Sequence, residues 1–312
     1  MKNNRQEIDV LCVGEVLIDF IGHQSEVLIN ETRDYHRYLG GSPTNVAMNV
    51  ARLGLKTNLV ATVGNDGFGE YILRRLTKAG VITENVKKIE DKPTSVIFVS
   101  RTQATPEFIP FRSADFFITE DQITKETLLN TKIYHTTCFA LTQEPAQSTI
   151  LQKAEEAFNL GCKLSIDVNY AKKMWKSKEE ALKIIKAYCK YNPLVKVSVD
   201  DMLRLFGETL PDEEIFNFFH SLGVDVICLT MGSKGVKLSQ KGEETIWLPA
   251  IKVTHIMDAT GAGDAFWSGF LYAYVKEKSI KKCLEIALQL AALKLQNVGR
   301  LPDQINILSK LL

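Results

Sequence analysis

Apolar and polar positions along the chain follow two alternating periods. Short runs rich in Val, Ile and Leu read as buried strands: Asp9 to Val13, Asn58 to Val63, Ile133 to Cys138, Lys163 to Asp167, Leu194 to Val197 and Val226 to Thr230. Between them the apolar residues recur three and four apart. That spacing predicts helices over Asn45 to Leu53, Phe68 to Ala79, Pro145 to Leu160, Lys178 to Cys189, Asp200 to Phe206 and Asp212 to Leu222. Two more are expected near Ala262 to Tyr274 and Ile280 to Gln296. Strands alternating with helices in this way predict an α/β fold, a mainly parallel sheet with helices on both faces, and so an α/β/α sandwich of three layers. With no repeat and no linker, residues 1–312 are expected to form one domain.

The rhythm breaks twice. Leu17 to Tyr38 and Thr94 to Phe111 read as strands with no helix between them, the second hairpin turning through Arg101-Thr-Gln-Ala-Thr-Pro106. Segments 17–38 and 94–115 are therefore expected either to project as a small antiparallel β lid or to edge the main sheet.

Composition narrows the function. Apolar residues make up 45% and charged residues 24%, and 38 Lys and Arg against 37 Asp and Glu leave a net charge of +1. Such a balance offers no basic field for nucleic acid or an anionic membrane, so an anionic ligand must be held by local geometry. Six cysteines with no C-x-x-C, a polar start (MKNNRQEID) and no long apolar run are the expectation for a cytoplasmic protein without structural disulfides. The five histidines show no metal-ligand spacing.

The densest chemistry lies in Asp258-Ala-Thr-Gly-Ala-Gly-Asp264, after the strand-like Ile251-Lys-Val-Thr-His-Ile-Met257 and before a helix. Gly261 and Gly263 let the backbone turn and approach a ligand, and helix N-terminal amides make an anion site. Asp264, in the first turn, is placed to accept a proton from an attacking hydroxyl. A glycine turn with a capping aspartate would look the same. Gly40-Gly41-Ser-Pro-Thr-Asn45 combines backbone access with an amide suited to a polyol, or is a helix start with a close glycine pair. No G-x-x-x-x-G-K-[ST] occurs, and Phe266 stands where a dinucleotide fingerprint needs its third glycine.

Together with Gly64-Asn-Asp-Gly-Phe-Gly69 and Thr230-Met-Gly-Ser-Lys-Gly235, these strings resemble the ribokinase-like (PfkB) carbohydrate kinases along essentially the full chain. The Phe266-Trp-Ser-Gly-Phe-Leu271 run and Arg112-Ser-Ala-Asp115 look most like bacterial fructokinases. The resemblance implies Asp264 as catalytic base and the amides of Gly261, Ala262 and Gly263 as the anion hole. It implies sugar contacts from Asp19, Gly40, Gly41, Asn45, Arg112 and Asp115. Nucleotide contacts would come from Asn169, Ser198, Thr230, Gly232, Gly235 and Asn297. It further implies ATP, Mg²⁺ through water on Asp201, and K⁺ at Asp258 and Thr260. A sugar partner, and a homodimer joined through lid residues such as Ile97, Phe98 and Phe108, complete the expectation. Two departures stand out. Ala171 replaces the arginine usual in Asp167-Val-Asn169-Tyr-Ala171, where Lys172 or Lys173 could substitute, and Asp201 replaces a longer glutamate. Rival readings are a kinase of 2-keto-3-deoxygluconate or a riboside, and a non-catalytic sugar-binding regulator.

Overall fold

The structure, a computed structural model, describes residues 7–101, 107–298, 301, 302 and 305. In chain order its elements are β1 (Ile8–Val13), β2 (Leu17–Ser25), β3 (Tyr35–Gly40), α1 (Ser42–Arg52), β4 (Thr57–Gly64), α2 (Gly67–Lys78), β5 (Val86–Ile89), β6 (Val96–Arg101), β7 (Phe108–Phe111), α3 (Lys125–Leu129) and β8 (Thr131–Thr137). There follow α4 (Ala146–Asn159), β9 (Lys163–Asp167), α5 (Lys178–Cys189), β10 (Leu194–Ser198), α6 (Val199–Phe206), α7 (Asp212–Ser221), β11 (Val226–Thr230), β12 (Val236–Gln240), β13 (Ile246–Leu248), α8 (Ala262–Val275) and α9 (Ile280–Leu295).

Nine strands form the main sheet in the order β13-β12-β11-β10-β9-β8-β1-β4-β5. The pairings from β5 through β11 are parallel, and β12 and β13 add antiparallel strands at one edge. Alternate side chains feed two cores. On β1, Val10 and Cys12 join the layer holding α1, α2, α8 and α9, whereas Leu11 and Val13 join that of α4, α5, α6 and α7. With both faces covered by helices the central strands carry near-continuous apolar runs, and β4 is buried along its whole length. The six cysteines are buried and free.

The chain leaves β1 toward one side of the sheet and β8 toward the other. The order switches at the carboxyl ends of β1 and β8, the position at which open α/β sheets carry their ligand crevice.

The second sheet, β3-β2-β6-β7, is separate from the first, so the two hairpin segments do not edge the main sheet. β2–β3 and β6–β7 are antiparallel, and the two hairpins meet through a parallel β2–β6 pairing. Most of the expected turn, 102–106, lies outside the described residues, as does the polar start at 1–6. Of the three lid residues expected to meet a partner, Ile97 and Phe108 instead pack inward with Leu17, Ile21 and Phe139, while Phe98 stacks on Phe20 on the opposite face. Period-two alternation explains the split, since Ile97 and Phe98 are consecutive on one strand. The stretch 251–257, strand-like by pattern, forms no strand; it has no sheet neighbour to pair with, and Ile256 and Met257 are exposed. Among the described residues no helix is long and apolar enough to cross a membrane.

Candidate active site

Gly261 caps α8 with φ +75°, a left-handed conformation that costs a residue with a Cβ about 1–2 kcal/mol. The turn it makes places Asp264 in the first helical turn, buried beneath the crevice. Its two oxygens are fixed from α1: Ser42 Oγ donates to Oδ1 at 2.6 Å and Asn45 Nδ2 to Oδ2 at 2.8 Å. Asn45 therefore orients the carboxylate. Ser42, one residue beyond the glycine pair, does the same and was not singled out in the sequence; its place as the first residue of α1, three before Asn45, is the signal that marks it. Burial pushes Asp264 above the ordinary aspartate range, against those two hydrogen bonds and the positive charges of Lys196 and Lys294.

The expected trio of amides needs one correction. Ala262 N–H turns inward onto the Ala259 carbonyl at 3.2 Å, closing the turn. The amides of Gly261 and Gly263 have no protein acceptor among the described residues, and these two are the donors open to an anion.

The crevice floor is acidic. Asp19, on β2, packs so closely on Gly40 that a Cβ there would lie 2.2 Å from its carboxylate. At Gly41, with φ +100°, a Cβ would meet the Glu15 carbonyl at 2.3 Å. Burial, then the charges of Asp264 and Asp258, push Asp19 up to about 7. Near neutrality it can both donate to and accept from a ligand hydroxyl. Glu15, not anticipated from the sequence, is buried beneath; Oε1 accepts from Ser42 N at 2.9 Å and Oε2 from Thr137 Oγ1 at 3.2 Å. Burial raises it to about 8.

Lys196 on β10 is another residue the pattern reading missed. It interrupts an apolar strand and looks like a sequence error until its partner is seen. Its ammonium binds both Asp167 oxygens, at 3.0 and 2.9 Å, and lies 3.0 Å from where Gly263 would carry a Cβ. Burial opposes its charge, but Asp167 and Asp201 hold it above the usual lysine range. A fixed cation thus stands directly under the turn formed by Gly261 to Gly263. Lys172 and Lys173, by contrast, are exposed, and Lys173 lies over the Phe108 ring on the small sheet, so neither replaces the missing arginine.

Asp201 is a cap. Its Oδ2 accepts from Ser198 N and Oγ, at 2.9 and 2.6 Å, and its Oδ1 accepts from Tyr170 N at 3.0 Å and Arg204 Nη2 at 2.8 Å. Four donors fill the acceptor capacity of a carboxylate, so this residue does not fit a magnesium ligand here, and Ser198 is likewise engaged in the capping box. Oδ2 thus turns back onto the helix start, while Oδ1 ties the loop at Tyr170 to Arg204 of the same helix. Asn169 follows with φ +28°, its N–H on Asp167 Oδ1.

Thr230 ends β11 beside Ser198. Gly232 is open on its outer side, whereas at Gly235 a Cβ would lie 2.1 Å from the Leu248 carbonyl. Gly235 thus serves the close approach of β13, and Gly232 is the one free to face a nucleotide. Arg112 is committed to Asp115 by Nε at 2.8 Å and Nη2 at 2.6 Å, and to the Thr142 hydroxyl, with Asp115 fully buried. Asp258 Oδ1 accepts from Thr260 N at 2.9 Å, and Lys294 from α9 bonds both Asp258 and the Asn297 carbonyl.

Residues 7–304 match the pfkB family carbohydrate kinase profile. An ATP-dependent 6-phosphofructokinase of Thermoanaerobacterium thermosaccharolyticum is 34% identical over 298 residues, covering 96% of this chain and 91% of that one. The solved structure of Halothermothrix orenii fructokinase superposes with a TM-score of 0.81 at 32% identity, covering 91% of this chain and 98% of its own. An uncharacterized sugar kinase of Pyrococcus horikoshii in complex with ATP gives 0.80 at 30% identity, with 93% of each chain covered.

Proposed function

The chain belongs to the pfkB family of carbohydrate kinases, ATP-dependent enzymes that phosphorylate a sugar, and from that premise we propose that its acceptor is a primary hydroxyl of fructose. The observation that carries the mechanism is the Asp264 carboxylate, oriented by Ser42 and Asn45 in the same first turn as the open amides of Gly261 and Gly263.

In this reading Asp264 accepts the proton of the attacking hydroxyl as phosphoryl transfer proceeds. The Gly261 and Gly263 amides, with Lys196 behind them, stabilise the charge that gathers on the transferring group. Asp19 and the exposed backbone at Gly40 and Gly41 hold the sugar. Gly232, Asn169 and Thr230 line the nucleotide side at the carboxyl ends of the strands. Mg²⁺, if brought with the nucleotide, would be held by the nucleotide's phosphates and would supply charge neutralisation there, since Asp201 is taken up in capping. The small sheet over segments 17–38 and 94–115 closes as a lid and excludes water, which would otherwise be phosphorylated in place of sugar.

Fructose is favoured by the fructokinase names among the relatives. Arg112, already paired with Asp115, has little left for a carboxylate, which argues against an acidic keto-sugar. Fructose 6-phosphate is the second reading, favoured by the name of the Thermoanaerobacterium relative. A coupled ADP-release assay against fructose, fructose 6-phosphate, 2-keto-3-deoxygluconate, ribose and adenosine tests it. The largest kcat/KM should fall on fructose; a preference for any other acceptor reassigns the substrate.

A further inference from the structure

The family resemblance places a monovalent cation at Asp258 and Thr260, and the residues present do not fit one. The place is filled by a side chain. Lys294 comes from the last turn of α9 and is 2% exposed. Its Nζ donates to Asp258 Oδ2 at 3.2 Å, to the Asp258 carbonyl at 3.4 Å and to the Asn297 carbonyl at 3.0 Å. Those contacts match its three N–H groups to three oxygens, which is what a buried ammonium needs. The remaining Asp258 oxygen, Oδ1, already accepts from Thr260 N. An ammonium and K⁺ carry the same charge and similar size, and both are satisfied by carbonyl and carboxylate oxygens. A second cation beside Lys294 would meet like charge in a buried setting, where repulsion is poorly screened.

We infer that Lys294 is a built-in substitute for the monovalent cation, a positioning residue that makes this kinase independent of added K⁺. Its ammonium ties the 258–261 loop to the end of α9, and its Cε lies 3.7 Å from where Gly261 would carry a Cβ. The turn that presents the Gly261 and Gly263 amides is thereby braced by a charge tethered to the chain, present whatever the ionic medium. The positive charge also offsets Asp258 and Asp264, whose negative charges bear on Asp19 as well. The inference rests on the reading of Gly261 and Gly263 as the phosphate cradle.

The test compares KCl with tetramethylammonium chloride at an ionic strength of about 0.1 M, where long-range charge effects are equal. Wild-type turnover and melting midpoint should be the same in both salts. Lys294→Ala in tetramethylammonium should lose about tenfold or more in turnover, the scale on which misplacement of a positioning group is felt. K⁺ or NH₄⁺ should restore it, and should raise the melting midpoint of the variant but not of the wild type. A several-fold K⁺ activation of the wild type, or a K⁺-dependent rise in its midpoint, would overturn the inference. So would a Lys294→Ala protein that is fully active without K⁺, or one impaired and rescued by no cation. If that variant does not fold, the wild-type comparison decides alone. The melting readout needs no turnover, so it is separate from the phosphate-cradle reading, which Asp264→Asn kinetics judge.

Discussion

At the level of single residues the site is governed by burial of carboxylates near neutral pH. Asp264→Asn keeps the shape of the side chain and removes the proton acceptor. Turnover should fall by at least about a hundredfold, while calorimetry still detects nucleotide binding; turnover near wild type would refute the assignment. Because burial raises Asp264 above its ordinary 3.8, the acid limb of kcat/KM should lie above that value. Glu15 bears on stability. Its pKa rises from 4.5 in the unfolded chain to about 8 when folded, so the native state binds the extra proton between those values. Stability must therefore fall as pH rises through this window, by up to about 1.4 kcal/mol per pH unit from this group. Glu15→Gln can still accept from Ser42 N and donate to Thr137, and its urea-denaturation stability should be flatter from pH 4.5 to 8. An unchanged slope would show that Glu15 does not carry the effect. None of these pKa values was legible in the sequence, since the desolvation comes from strands far apart along the chain.

Elements were far more legible. The runs at Lys163 to Asp167, Lys178 to Cys189 and Val226 to Thr230 coincide with β9, α5 and β11, because each is fully buried or cleanly amphipathic. The start of α1 was placed three residues late. Ser42 and Pro43 open the helix, and proline at its first turn, where no amide is required, extends it backward. β12 and β13 escaped notice as short edge strands with polar flanks. Their packing separates two glycines of one motif. Gly235→Ala combines φ +97° with a backbone clash and should cost about 3 kcal/mol or more, whereas Gly232→Ala, at φ +56° with open space, should cost about 1 kcal/mol. Urea denaturation of the two variants checks the order; equal losses would contradict the assigned packing.

For the whole molecule, the outer face of the small sheet is the region left to explain. Phe98 and Phe20 stack there, Phe98 meets Phe111 edge-on, and Phe111 is 59% exposed. A homodimer joined at this face would bury that surface, so Phe111→Asp should shift the protein to half its mass in light scattering. A wild type that is monomeric would dispose of the dimer. By itself the sequence determined the layered α/β architecture, the two hairpin segments that interrupt it, and Asp264 just after the glycines at 261 and 263, because hydrophobic period and glycine spacing are local properties; that the hairpins form a separate sheet was decided by the fold. It also suggested roles for Asn45, Asp201 and Ala262 that the fold redirects, to orienting a base, capping α6 and closing a turn. Only tertiary structure could bring Glu15 under Ser42, Lys196 under Gly263 and Lys294 onto Asp258. Those contacts join residues dozens to scores of positions apart, and a buried charge is tolerable only where folding supplies its partner.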